Sequence, residues 1–380
     1  MTDRVGRLVD GLAGREFVGD VCMLLDEHLE RGDTAFLAAF GAALRARYRS
    51  DAEDGEHRYL FNRVLWALST TPGRENVGHA LRLGLAARSR PGRPLRRAAA
   101  VLAAHQPPEE LAALFIPARS DAGAPDELRA CLIHELVLRG APVAALPEVV
   151  TWAAESPFWG NHPLAWLPWS LSPLEGSPDL PRYFSGGVGF SVGYGLTSGA
   201  RLPSGSCGVV PSVRRSATEP ALTAAVERWT LRHNGRVEAG IHLADEPVVP
   251  GAVHTLLASL PLACLAGLAD PDHLLVATGS PAEAWRMLFA AASTGGGRED
   301  DWWYGAYGRL AAWRSLAGLS GAADGSSVTE VEQRAQACTW YGFLASTDWF
   351  NQDSLDFALL TLAPGRRRVA VLAATDYDGG

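Results

Sequence analysis

Leu355-Asp-Phe-Ala-Leu-Leu-Thr-Leu-Ala-Pro-Gly-Arg-Arg-Arg-Val-Ala-Val-Leu-Ala-Ala-Thr375 is the stretch that decides how the second half of this chain folds. Two apolar runs, Leu355–Leu362 and Arg367–Thr375, flank Ala363-Pro364-Gly365-Arg366. Apolar runs on either side of a Pro-Gly turn predict an antiparallel hairpin. Working back from it, Ala337–Ser346, His273–Thr278, Arg236–Leu243 and Gly208–Val213 read as further strands. Helical patterns at Thr218–Leu231, Gly251–Leu268, Pro281–Ser293 and Tyr304–Leu319 alternate with them. The earliest period-two signal runs from Phe184 to Leu196, where Phe, Val, Tyr and Leu alternate with Gly or Ser, and it predicts one strand with a small face.

The first 155 residues carry a different period. Phe17, Val21, Leu24, Leu25 and Leu29 recur at three- and four-residue steps, the stripe of an amphipathic helix over Phe17–Glu30. Asp33 can cap the next helix, in which Phe36, Leu37, Phe40 and Leu44 repeat the pattern. Further helices are predicted over Arg58–Leu68, Glu75–Ala87, Leu95–Ala104, Pro108–Phe115, Asp126–Arg139 and Val143–Ala154. No internal sequence repeat accompanies them, so a bundle or an α-solenoid with HEAT-like helix spacing is expected from spacing alone. Between the halves, Pro157, Pro163, Pro168, Pro173, Pro178 and Pro181 rule out a long helix, and Trp159, Trp166 and Trp169 make the segment too apolar for a free linker. The expected organisation is a helical domain over 1–155, a Pro/Trp-rich junction over 156–182 pinned to one domain's surface, and a mixed α/β domain over 183–380. The expected fold class is α+β, or mixed: an all-helical half, then an α/β domain closed by the C-terminal hairpin.

All 34 basic side chains of the 380-residue chain are arginine, against 42 Asp and Glu, for a net charge of −8. A genome that favours Ala, Arg, Gly and Pro codons accounts for this, since Ile and Asn are scarce too. Without lysine, Schiff-base chemistry, a Walker-type phosphate loop, a protein-kinase β3 lysine and a Ser-x-x-Lys nucleophile are excluded. The acidic balance argues against nucleic acid as a partner. The arginine-rich run from Arg88 to Arg97 reads as a solvated loop between helices. Cys22, Cys131, Cys207, Cys264 and Cys338 are scattered, without a C-x-x-C pair, as expected of reduced thiols in the cytoplasm. The most apolar run, Ala252 to Ala269, is interrupted by His254, Thr255, Ser259 and Pro261, so a core helix broken near Pro261 is expected instead of a membrane span. No signal peptide, cofactor or metal site is expected.

The glycines Gly187, Gly189, Gly193 and Gly195 do not make a dinucleotide fingerprint, because they alternate within a predicted strand instead of opening a helix. Cys207, in Ser204-Gly-Ser-Cys-Gly208, could act as a nucleophile with His233, His242 or His254 as base and Asp245 or Glu246 orienting it; burial as an inert thiol is the plain alternative. Asp348 and Asp353 could serve as paired carboxylates. Two stretches join aromatic rings to polar groups. One carries Trp302, Trp303, Tyr304 and Tyr307 with Arg309 and Arg314; the other carries Trp340, Tyr341 and Trp349 with Asp348, Asn351 and Gln352. Aromatic anchors beside arginine and amide groups compose recognition surfaces, although rings of this size are also what cores are built from.

The segments Ala284-Trp-Arg-Met-Leu-Phe-Ala-Ala-Ala-Ser-Thr-Gly-Gly296, Tyr304-Gly-Ala-Tyr-Gly-Arg-Leu-Ala-Ala-Trp-Arg-Ser-Leu-Ala317 and Cys338-Thr-Trp-Tyr-Gly-Phe-Leu-Ala-Ser-Thr-Asp-Trp-Phe-Asn-Gln352 resemble an uncharacterised family of high-GC filamentous soil bacteria, a domain of unknown function. The resemblance spans most of the chain and implies no activity, cofactor or catalytic residue. The functional expectation is therefore a cytoplasmic binding or scaffold protein that uses the aromatic and arginine surface of residues 295–353 toward a protein or small-molecule ligand. A metal-independent hydrolase or transferase using Cys207 or the Asp348 and Asp353 carboxylates is the alternative.

Overall fold

The computed structural model describes residues 2–12, 18–48, 55–85, 93–116, 124–184, 187–189, 199–204, 210–216, 219–231, 235–296, 302–350 and 356–376. The fold is mixed α+β, helical in its first half and built on a six-stranded antiparallel sheet in its second. The chain divides into two compact units, Met1–Ala165 with Arg182–Gly189, and Trp166–Pro181 with Phe190–Gly380.

The first unit contains α1 (Thr2–Asp10), α2 (Gly19–Glu30), α3 (Thr34–Arg47), α4 (Gly55–Thr70), α5 (Arg74–Leu85), α6 (Arg93–His105), α7 (Pro108–Ala112), α8 (Asp126–Leu138), α9 (Pro147–Glu155) and the short α10 (Pro157–Gly160). Asp33 caps α3, accepting from Phe36 N, as its position predicts. From α1 to α6 each helix packs on near neighbours in sequence, the arrangement expected when short connections stack amphipathic helices. Val21, Leu25, Phe36, Phe40, Leu44, Leu60 and Val64 form the shared core of the first four. The expected single strand from Phe184 to Leu196 is corrected: β1 (Arg182–Phe184) and β2 (Gly187–Gly189) pair antiparallel, so the chain turns after Phe184. Small residues favour the reversal over one continuous strand. Residues 190–198 lie outside the described set.

The second unit is built on β3 (Val213–Ser216), β4 (Arg236–Ala244), β5 (Leu274–Gly279), β6 (Thr339–Ala345), β7 (Phe357–Leu362) and β8 (Arg368–Thr375), in the order β3-β4-β8-β7-β6-β5 with every neighbour antiparallel. The β7–β8 hairpin lies at the centre. Central strands covered on both faces are buried at nearly every position and mostly apolar, which is why this hairpin is the plainest signal in the sequence. Its turn closes with Arg366 N donating to Ala363 O, Pro364 at the second position and Arg366 left-handed at φ 52°.

Tyr341, Phe343, Leu360, Leu362, Val369 and Val371 point to one face of the sheet, where they pack with Leu256 and Leu257 of α12 (Val253–Ser259). That helix ends two residues before Pro261, where the proline disfavours helix in the residue ahead of it. On the other face Thr361 Oγ1 donates to Leu319 O, and Phe357 meets Trp229 of α11 (Glu227–Leu231) edge to face. There α14 (Tyr304–Ser320) lies over β7 and β8, with α13 (Pro281–Thr294) and α15 (Val328–Ala337) packed against it. The close approach of α13 and α14 depends on Gly308, since a Cβ there would stand 2.8 Å from Ser293 Cβ. No helix among the described residues is long and apolar enough to cross a membrane.

Candidate functional site

Much of the aromatic and arginine set that the sequence singles out belongs to the interior of the second unit. Trp340 and Tyr341 are buried on opposite faces of β6, the indole of Trp340 donating to Ala335 O. Arg309 is fully buried. Its Nε donates to Glu175 Oε1 at 2.6 Å, its Nη2 to Glu175 Oε2 at 2.9 Å, and Nη1 and Nη2 reach Pro168 O and Ser170 O. Trp313 Nε1 donates to the same carboxylate at 2.9 Å, and Ser172 N at 2.7 Å. The proline-rich segment from Trp166 to Pro181 is thus bound to α14 through one buried acid, a residue that nothing in its local sequence pattern marks.

Trp349 is half-buried and edge-on to Phe350, packed against the core on the α12 face. The exposed Asp348 is fixed by its main chain, because Arg236 Nη1 donates to its carbonyl at 2.8 Å. Asn351, Gln352, Asp353 and Cys207 lie outside the described residues. His242 is buried on β4 opposite Arg215 and Val369, and its Nε2 has no partner among the described residues. Burial lowers its pKa from the usual histidine value, the Arg215 guanidinium lowers it further, and Glu238 opposes them. Arg236, which holds Asp348, lies six residues of strand from His242, roughly 20 Å in an extended chain, so the structure does not bring these two groups to one reacting atom.

What remains near the surface is the entrance to α14. Arg228 stacks over the Trp303 ring at 5.0 Å, and Trp303 stands edge-on to Tyr307 at 5.9 Å between centroids. Trp303 and Tyr307 are half-buried, and Arg314, two turns further along α14, is exposed. Trp302 and Tyr304 are buried, their rings tilted at 6.4 Å. Tyr304 has φ 58°, left-handed geometry that is costly for a ring-bearing residue and occurs where a structure holds a side chain in a set place. The indole N–H groups of Trp302 and Trp303 are buried and find no acceptor among the described residues. Buried donors are ordinarily paired, so two adjacent exceptions mark a place that an external acceptor could complete.

A feature with no strong sequence signal lies near this entrance. Asp356 and Asp376 are both buried, Thr375 Oγ1 donates to Asp356, and Asp376 Oδ2 lies against Gly296. Gly296 is left-handed at φ 92°, and a Cβ on it would fall within 2.2 Å of that oxygen, so both conformation and space require glycine. Among the described residues no group of three or more His, Cys, Asp and Glu side chains could hold a metal ion.

The first unit holds a cleft of about 580 Å³ between α8 and α9, within the size range of ligand pockets. Arg129 donates to Asp126 Oδ1 at 2.7 Å and to Leu114 O at 2.8 Å, and its guanidinium lies over Trp152 at 6.0 Å. The Trp152 indole also donates to Asp126 Oδ1. Glu148, Thr151, Glu155 and Ser156 line the same cleft. The spacing of the two acids along α9 was the available signal, seven residues apart and hence on one helix face.

No curated protein and no solved structure matches the chain. A family model does, across residues 19–378, and the chain therefore belongs to the family of unknown function DUF6183.

Proposed function

We propose that this chain is a binding protein whose recognition element is the Arg228–Trp303–Tyr307 stack at the entrance to α14. The partner is a polypeptide segment that presents carboxylate or carbonyl oxygens. The observation that carries the reading is the pair of indole N–H groups, on Trp302 and Trp303, with no acceptor among the described residues, beside a guanidinium stacked on the second ring. Cation, ring and donors together suit an anionic acceptor. This narrows the aromatic surface of residues 295–353 to its half-exposed part and leaves Trp340, Tyr341 and Arg309 to the core. The four cysteines among the described residues form no disulfide, and three of them are buried, which supports a reducing, cytoplasmic setting.

The test is capture of a labelled hexaglutamate peptide by the full chain, with Trp303→Ala and Arg228→Gln as variants. Each variant is expected to weaken capture severalfold while its thermal melt stays close to that of the parent. Capture that both variants leave unchanged refutes the proposal.

A further inference from the structure

Two strands bring one nitrogen each to a common point on the α12 face of the sheet. Arg215 of β3 and His242 of β4 are cross-strand partners, so their side chains leave the sheet on the same side. Beside them Gly240 carries no side chain, and a Cβ there would stand 3.2 Å from His242 Nε2 and 3.9 Å from Arg215 Nε. His242 is 1% exposed, and its Nε2 has no hydrogen-bond partner among the described residues. Buried polar atoms are ordinarily paired, so this one marks a place for a ligand atom.

The guanidinium beside it is free to serve that ligand. Arg215 is exposed and Gly240 half-buried. Among the described residues Arg215 makes no ion pair and one hydrogen bond, Nη2 to Ala239 O at 3.3 Å, which is long for such a bond. The charged groups that reach the imidazole are Arg215 and Glu238. Glu238, two residues beyond Gly240 on the same face, accepts from Ala263 N at 2.9 Å and Cys264 N at 2.8 Å, so main-chain donors already meet its charge. β8 presents Val369 to His242, and α12 faces the sheet with Val253, Leu256 and Leu257, its His254 being tied to Leu274 O.

We infer that the space over Gly240 binds a tetrahedral oxyanion, a phosphate or sulfate group, between Arg215 and His242. Arg215 turns from Ala239 O to the ligand and offers its planar fork to two oxygens, while His242 Nε2 donates to a third. A carboxylate fits less well, because the fork takes both of its oxygens and leaves the imidazole unserved. Burial and the Arg215 guanidinium keep the free imidazole neutral, and a bound anion favours its charged form, so binding draws a proton from solvent onto His242. The stack at the entrance to α14 uses none of these groups.

The experiment is calorimetric titration of the full chain with sulfate, inorganic phosphate, glycerol 2-phosphate and acetate, at about pH 7 in buffers of different ionisation enthalpy. Sulfate is expected to saturate one site with proton uptake, and since it does not titrate near neutrality the proton belongs to the protein. Arg215→Gln should weaken sulfate and phosphate roughly tenfold. Arg214→Gln removes the same charge from the opposite face of β3 and should leave binding unchanged. Both arginines are exposed, so this comparison holds even if His242→Gln, which should abolish the proton uptake, fails to fold. Glycerol 2-phosphate binding more tightly than inorganic phosphate assigns the site to an ester, and the reverse to the free anion; either supports the inference. Absence of saturable binding, equal weakening by the two arginine variants, acetate binding as tight as sulfate, or proton uptake that survives His242→Gln would overturn it.

Discussion

The Glu175–Arg309 pair offers the sharpest test of how the second unit is held together. Both side chains have no exposed surface, so the discount for solvent screening that applies to surface ion pairs does not arise. Among the described residues Glu175 accepts four hydrogen bonds, two from Arg309, one from the Trp313 indole and one from Ser172 N. Arg309→Met keeps most of the volume and leaves a buried carboxylate with only the indole and amide donors. Glu175→Gln keeps the shape and takes the Glu175 charge away from a buried guanidinium. Removing one partner of such a pair costs about 3–5 kcal/mol. For a unit of this size that corresponds to a fall in Tm on the order of 10 °C. The double variant should be less damaged than the sum of the single ones, because neither charge is then left buried alone. Urea unfolding followed by tryptophan fluorescence reads the energies, and amide exchange over residues 166–181 reads whether the segment has come away from α14. Single-variant losses under about 1 kcal/mol, or strict additivity in the double variant, would refute the reasoning.

Other perturbations separate conformational from packing effects. Gly308→Ala is expected to destabilise by about 1–2 kcal/mol despite alanine's helix propensity, because the added carbon meets Ser293, whereas Gly6→Ala in α1, which meets nothing within 4 Å, should stabilise slightly; paired urea midpoints check both. Gly296→Ala should lower the urea midpoint more than either, since it combines a left-handed φ with a clash against the Asp376 carboxylate. Stability should also fall with acid below about pH 6.5: burial lowers the folded-state pKa of His242, and of His79 and His105, so the unfolded chain binds protons first and stability is gained as pH rises through that window. His242→Gln should flatten part of that slope in urea midpoints taken between pH 5 and 8.

Local chemistry made most elements legible. The β7–β8 hairpin, α13 and α14 follow from runs whose apolar pattern, flanking Pro-Gly or capping residues agree with one another. The α15 helix carried an equally local signal, Ser327-x-x-Glu330, whose reciprocal capping box forms in the structure, but its polar sequence offered little apolar stripe. The Gly-rich stretch misled because alternation fits one strand and also two short strands that pair with each other, as β1 and β2 do. The site was less legible for a general reason. Tryptophan and arginine compose both cores and recognition surfaces, and only tertiary contacts decide between them. Arg309 and Arg314 lie on the same helix, yet one is sealed against Glu175 and the other is exposed. Glu175 is separated from Arg309 by 134 residues, beyond the reach of any pattern in the chain.

The absence of lysine shapes the interior as well as the surface. Arginine here repeatedly holds main-chain carbonyls: Arg236 those of Asp348 and Trp349, Arg139 those of Ala100 and Glu135, Arg309 those of Pro168 and Ser170. The end of α14 is the clearest case. Its last carbonyls lack helical partners. Arg368 Nη2 donates to Gly318 O at 2.7 Å and Nη1 to Leu319 O at 2.9 Å, while Arg334 Nε reaches Ser320 O. A planar guanidinium spans two adjacent carbonyls at once, and an ammonium on a flexible stem cannot hold both in that geometry. Arg368→Lys therefore keeps the charge and gives up one of the two carbonyl contacts. Leu319 O retains Thr361 Oγ1 and Gly318 O retains the 3.3 Å bond from Gly321 N, so neither is left bare. The expected loss is about 1 kcal/mol in urea unfolding, the net worth of one hydrogen bond. Arg368→Gln, which keeps one planar donor group and no charge, should then fall close to Arg368→Lys. If lysine instead preserves full stability, charge at the helix end is what matters there, and the two-carbonyl fork is not the reason arginine occupies the site.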